Sequence, residues 1–362
     1  MPEGRKGGRM GLRILHSADW HLDSPFAAFR EEQRTYLKQA QRQIPRKIAM
    51  ACRQQNCDLV LLAGDLFDGA WSRTTLEEVK SALKECKVPV MISPGNHDPW
   101  GAGSPWLESW PENVHIFSEK LESIVLTDLD CRVYGAGFHQ MDSESLLEGF
   151  HAEGEELWQI GLFHGDPTNV HSNYNPVTTA QIRKSGLAYL ALGHVHTAGG
   201  LEVEKTVCGW PGCPMGRGWD ETGEKGCLIV DLEKTAAVQP YLLDLPGFYQ
   251  KTVDCSDENA LGEILPAGGN RNFYRITLEG FGKPDLRALT EQYQRFPNLQ
   301  FIDHTVDPDS LWAQAGEDSL RGAYFARLKE MSDRGDPELQ KKILLAAEIS
   351  RKLLEGREVE LP

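Results

Sequence analysis

Asp19 and His21 stand two residues apart behind a short apolar run at 12–15. The arrangement recurs: the run 59–62 leads to Asp65 and Asp68, 88–92 to Asn96, His97 and Asp98, 160–163 to His164 and Asp166, and 189–192 to His194 and His196. Carboxylate, amide and imidazole donors in such numbers suit one or two first-row divalent cations. Cations of that kind make water a usable nucleophile at neutral pH. Each motif alone has a plainer reading. Asp19-x-His21 could be a loop with a hydrogen-bonded His, Gly64-Asp65 a helix N-cap, and Gly95-Asn96-His97-Asp98 an Asx-turn. Five separate strand ends do not gather these residue types by accident, so the set reads as a metal-dependent hydrolase.

The elements that must carry these donors follow from periodicity. Ligand-type residues at the carboxyl ends of buried strands sit where an open α/β sheet builds its active site. Residues 31–54 are rich in helix formers, and 74–86 put Leu76, Val79 and Leu83 on one helical face, with Thr75 and Glu78 offered as a capping box. This βαβ alternation predicts neighbouring parallel strands. From about 114 the segments 114–117, 122–126 and 131–134 are short and strand-like, which predicts a second, largely antiparallel sheet. A short helix near 178–185 follows, then strands at 203–207 and 227–232 around a Gly/Pro-rich loop. Residues 240–247 read as a boundary. Beyond it a strand (273–278), a helix (285–295) and a strand (299–304) form a small unit. Helices at 318–331 and 337–355 close the chain, with Leu320, Tyr324, Leu328, Leu339, Ile343, Ala347 and Leu354 on apolar stripes. The expected organisation is an extension at 1–10, a catalytic domain at 11–243, a small α/β domain at 244–316 and a helical segment at 317–362.

Composition sets limits on partners. With 53 acidic against 38 basic residues the net charge is −15, which argues against a tight, unaided grip on nucleic acid. Bound cations would neutralise several carboxylates, and a partner subunit could supply a basic groove. The eight cysteines form no CxxC pair, so they read as buried, reduced thiols, with a Cys208–Cys213 bridge or metal site as the minor alternative. Residues 1–10 are basic without an apolar core, so they are read as a disordered extension and no secretory signal, with Met10 an alternative start. No apolar run approaches the ~18 residues of a membrane helix.

The motif order DxH, GDxxD, GNHD, H, GHxH resembles that of the calcineurin-like metallophosphoesterases. Within them it is similar to the nuclease subunits of the Mre11 and SbcD type, the bacterial YhaO-like group above all. LLAGDLFD, PGNHDPW, YLALGHVH and WPGCPMGRGWDETGEKG carry the similarity over residues 12–245. The resemblance implies two packed mixed β-sheets flanked by helices (α-β-β-α), with a small α/β capping domain and a helical C-terminus. It implies that Asp19, His21 and His196 hold one metal ion, that Asn96, His164 and His194 hold another, and that Asp65 bridges. Two such ions, ~3.5–4 Å apart, clamp the attacking and leaving oxygens of an in-line displacement. His97 is then the group that positions or protonates the departing sugar oxygen. Manganese, or else iron, is the expected metal, and DNA ends the expected substrate. An SMC-like ATPase of the SbcC/Rad50 type is the expected partner, self-association a further expectation, and the cytoplasmic nucleoid the expected location. The rival readings are a small-molecule phosphoesterase, such as a nucleotidase or cyclic-nucleotide phosphodiesterase, and a non-catalytic scaffold.

Asp68, Asp98 and Arg217 are read as supporting or substrate-facing residues. Asp68 stands where some Mre11 proteins have His, and either accepts a hydrogen bond behind a ligand or caps the next helix. Arg217 could meet a substrate phosphate. Trp100, Trp106 and Trp110 could stack on bases, though packing is the plainer reading. His139, Asp166 and His171 are read as structural or merely near the site.

Overall fold

The computed structural model describes residues 11–257 and 259–358, in two compact units that divide between Phe248 and Tyr249. The expectations for residues 1–10 therefore lie outside the described residues. The first unit runs β1 (Leu12–Ser17), α1 (Glu31–Gln41), α2 (Ile44–Gln54), β2 (Leu59–Leu62), α3 (Arg73–Glu85), β3 (Val90–Ile92) and β4 (Val114–Ile116). It continues with β5 (Glu122–Leu126), β6 (Cys131–Ala136), β7 (Trp158–His164), α4 (Thr179–Lys184) and β8 (Tyr189–Gly193). It closes with β9 (Gly199–Val203), β10 (Thr206–Trp210), β11 (Gly226–Leu232) and β12 (Ala236–Leu242).

One sheet has the order β12-β11-β1-β2-β3-β4, the other β5-β6-β7-β8-β10-β9. Strands buried on both faces read as continuous apolar runs, and β2 (Leu-Val-Leu-Leu) is buried throughout. Leu12, Ile14, Leu59 and Leu61 of one sheet meet Val133, Ile160, Leu162 and Tyr189 of the other in a single core. Helix α2 packs on α3 and β1, and α4 packs on β9 and β10, giving the α-β-β-α layering.

Several sequence expectations need correction. The 31–54 run is two helices, because Pro45 lies in the first turn of α2 and cannot continue α1. Helix α3 is capped by Ser72, whose side chain accepts from the Thr75 N–H, and not by Thr75. Strand β4 is a parallel edge strand of the first sheet. The second sheet is mostly parallel: β6, β7, β8 and β10 run together, and only the outer strands β5 and β9 pair antiparallel. Segments 137–157 and 165–188 return the chain across the sheet, and the first does so without a regular helix, so it carries no crossover signal. Residues 203–207 hold the turn between β9 and β10, with Glu204 at φ 56°. Strand β12 covers part of the expected boundary, and its Pro240 is tolerated on a sheet edge.

The second unit takes β13 (Phe248–Asp254) from its second residue and holds α5 (Ala260–Ile264), β14 (Phe273–Glu279), α6 (Leu286–Gln292) and β15 (Leu299–Asp303), its sheet ordered β13-β14-β15. Val253, Leu265, Ile276 and Phe296 form its core. Helices α7 (Pro308–Trp312), α8 (Leu320–Arg334) and α9 (Pro337–Leu354) gather on Leu311, Phe325 and Ala347. Phe325 is buried where Tyr324 was expected, and Leu320, Tyr324, Leu339 and Leu354 are exposed. All eight cysteines are free, and only Cys255 is partly exposed. No helix among the described residues is long and apolar enough to cross a membrane.

Candidate metal centre

The parallel strands β1, β2 and β3, together with β7 and β8, deliver their C-terminal loops to one place. The loops after β1 and β2 are knitted together by main-chain bonds: Asp19 N–H donates to the Gly64 carbonyl (3.0 Å) and His21 N–H to that of Asp65 (2.9 Å). Asp98 then ties the loop after β2 to the loop after β3. Its carboxylate accepts from the N–H groups of Gly95 (2.8 Å), Leu66 (2.7 Å), Phe67 (3.1 Å) and Asp65 (3.2 Å). Asp98 is thus an internal brace and faces no substrate.

Asp19 (φ 55°), His21 (φ 45°), Asp65 (φ 52°) and His194 (φ 88°) all adopt the left-handed conformation. Non-glycine residues take it at a cost, and such strain collects at functional sites. The glycines beside them serve close approach. A Cβ on Gly95 would strike the Asp65 carboxylate, and one on Gly64 would lie 2.7 Å from His164 Nδ1.

Three imidazoles have their Nδ1 hydrogens committed outward. His21 donates to Asp68 Oδ1 (3.1 Å), His164 to the Ala63 carbonyl (2.8 Å), and His196 to Glu221 Oε1 (2.7 Å). Their Nε2 atoms therefore turn inward. His21 Nε2 and His196 Nε2 face each other at 3.1 Å, and His164 Nε2 lies 2.9 Å from Asn96 Oδ1. Asp65 Oδ2 sits between the two halves, 3.7 Å from His21 Nε2 and 3.4 Å from His164 Nε2. Electron pairs facing electron pairs at these distances require positive charge between them, either a proton or a metal ion. Burial opposes charge on His164, but Asp65 lifts its pKa to about 9. Burial likewise opposes ionisation of Asp65, but His164 and His21 hold it below the usual carboxylate range. Asp19, His21 and His196 form one close donor group, and Asp19, Asp65 and His164 another. Mixed oxygen and imidazole donors of this kind fit divalent first-row ions.

Of the predicted imidazole ligands, His194 alone joins no close donor group among the described residues. Its main-chain N–H donates to both Asp19 oxygens (3.0 and 3.2 Å), while its ring lies tilted against Tyr174 and 5.3 Å from the His164 ring. His97 stands at the rim, half-buried, with its N–H on Asp65 Oδ1 (2.8 Å) and Nδ1 3.3 Å from Asp68 Oδ1. The bond to Asp68, against the effect of burial, raises its pKa. Asp68 thus serves His21 and His97 with one oxygen, and its other oxygen accepts from Ser24 (2.9 Å). Arg217 is held by Glu221, with Nη1 3.8 Å from Asp68 Oδ1.

Trp106 is buried, donates its indole N–H to the Asp98 carbonyl and stacks on Trp110. Trp100 donates its main-chain N–H to the Phe138 carbonyl (2.6 Å). Packing therefore accounts for Trp106 and Trp110. Asp166 accepts from Thr168 and Asn169 in its own turn, and His139 and His171 are exposed. Sequence reasoning passed over Glu221, which stands between Asp220 and Glu224 in the loop after Arg217 with nothing in its spacing to single it out. It also passed over His16, buried beneath the site with Nδ1 2.9 Å from the Tyr189 hydroxyl.

A family model for the calcineurin-like phosphoesterases matches residues 12–198, and the chain belongs to that family. It is 29% identical over 289 residues to the uncharacterized metallophosphoesterase YhaO of Bacillus subtilis, covering 75% of this chain and 68% of that protein. It is 31% identical over 336 residues to the SbcD component of the SbcCD nuclease of Staphylococcus epidermidis, covering 82% and 86%. To the corresponding SbcD protein of Bacillus subtilis it is 26% identical over 267 residues, covering 61% and 66%. Family and donor set together make the chain a metal-dependent phosphoesterase.

Proposed function

We propose that this phosphoesterase is the nuclease subunit of a DNA-repair complex, hydrolysing phosphodiesters at DNA ends with manganese, or iron, as its metal. The observation that carries this reading is the reach of the similarity to an SbcD protein, 82% of this chain, well past the matched catalytic stretch. Asp19, His21 and His196 would hold one ion, Asn96, His164 and His194 the other, and Asp65 both. When bound, such ions stabilise the charge of the transferring phosphoryl group and make water a nucleophile. His97, its pKa raised beside Asp68, gives a proton to the departing sugar oxygen. Arg217, fixed by Glu221, offers its outer nitrogen to a phosphate oxygen. An SMC-like ATPase supplies the basic DNA surface that a chain of net charge −15 does not provide; self-association and a nucleoid location belong to the same reading.

That charge favours one rival, a phosphoesterase acting on nucleotides or cyclic nucleotides. The test is hydrolysis of linear single- and double-stranded DNA with manganese, with and without the ATPase. Degradation that weakens as salt rises supports the nuclease. Turnover of nucleotides with DNA left intact overturns it.

A further inference from the structure

We propose that Glu221 is a positioning residue for the metal centre, acting by fixing the tautomer of His196, and that the glycine-rich loop between β10 and β11 exists in part to hold it there. The inference rests on the metal-dependent reading above.

A carboxylate removed from water is tolerated only when its oxygens are fully bonded. Glu221 is 6% exposed. Its Oε1 accepts from His196 Nδ1 (2.7 Å) and from Arg217 Nη2 (2.7 Å) and Nε (3.1 Å), and its Oε2 accepts the Arg217 main-chain N–H (2.7 Å). Arg217 alone could balance the charge, so the approach of His196 has a separate meaning.

A neutral imidazole has one N–H, and the nitrogen opposite carries the electron pair that binds a metal. With Nδ1–H donated to Glu221, His196 turns a bare Nε2 toward His21. Arg217 Nη2 also comes within 3.0 Å of His196 Nδ1. Both are donors in that state, and they meet only because they share one carboxylate oxygen. Glu221, and not Arg217, therefore selects the tautomer.

The rest of the loop grips His196 by its main chain. The His196 carbonyl accepts from Cys213 N–H (3.3 Å) and Lys225 Nζ (3.2 Å), and a Cβ on Gly212 would lie 2.6 Å from it. His21 and His164 have acceptors of their own, Asp68 and the Ala63 carbonyl. Loss of Glu221 should then weaken only the ion held through His196.

The test is calorimetric titration of manganese into the metal-free chain, paired with manganese electron paramagnetic resonance. Wild type should take up two ions and give a spin-coupled signal at two equivalents. Glu221→Gln should lose about 10–100-fold in affinity for one ion, with the other within about threefold of wild type, and give an uncoupled signal. Glu221→Asp keeps the charge beside Arg217 but falls one methylene short of His196, so it should lose the same ion. Arg217→Lys, which leaves a cation beside Glu221 and removes the guanidinium near His196 Nδ1, should keep both affinities. Two unchanged affinities in Glu221→Gln, equal loss of both ions, or an equal loss in Arg217→Lys would each overturn the assignment while leaving the phosphoesterase reading intact. A wild-type chain that takes up no ion would overturn that reading, and this inference with it.

Discussion

His97 is half-buried at the rim of the donor cluster, and its main-chain N–H rather than its ring touches Asp65. Its ring meets Asp68 and closes a third donor group with His21, but lies apart from the two groups that share Asp19. His97→Ala should retain wild-type manganese content by elemental analysis while kcat on a phosphodiester falls ~10²–10⁴-fold, the usual worth of a general acid. His16 lies fully buried beneath the site and bears on acid stability. Burial, opposed by the Leu192 backbone, lowers its pKa to about 3, and its Nε2 has no hydrogen-bond partner among the described residues. Below pH ~6.5 the unfolded chain protonates this ring and the folded chain does not, so the unfolded state binds more protons and stability is lost as the pH drops, by up to about 1.4 kcal/mol per unit. His16→Gln should remove that share of the slope when urea midpoints of metal-free protein are compared at pH 7, 6 and 5.

At the scale of elements, the loops between strands and helices bear the strain and depend on small residues. Gly95→Ala should push the Asp65 carboxylate aside and abolish both metal uptake and turnover, read by the same elemental analysis and a phosphodiester assay. Ser72→Ala, at the start of α3 and away from the donors, should cost ~1 kcal/mol in urea unfolding with kcat unchanged. Element identity was legible where periodicity is strong: β1, β2, α3, α8 and α9 lie close to where apolar spacing puts them. The break at Pro45 was readable in principle, since proline fits a helix's first turn and no later one. Strand direction in the second sheet was not, because direction depends on how the chain returns, and 137–157 return it through irregular structure. At the site, donors announced by type and spacing were legible, and the structure brings most of them together. Glu221 was hidden because an acceptor for His196 arrives from a distant loop, and distance in sequence conceals it.

On the scale of the whole molecule, the two packed sheets close a core that does not include the donors, and Asp98, Asp68 and Glu221 hold the donor loops through protein bonds alone. The chain should therefore fold without metal. Chelation should abolish hydrolysis yet leave far-UV circular dichroism intact. Manganese at about 100 times its dissociation constant should restore activity and add about 2.7 kcal/mol of stability, seen as a rise in Tm. A metal-free chain that loses its secondary structure would contradict this.

Asp68 offers a single oxygen to two rings, His21 within the donor cluster and His97 at its rim. Whatever shifts that oxygen disturbs both rings in the same stroke, so on the function proposed above metal grip and proton delivery would change together. Natural variation at position 68 should for that reason travel with variation at 97, and an engineer seeking a new substrate would do better to leave both alone and work from the Arg217 side of the crevice.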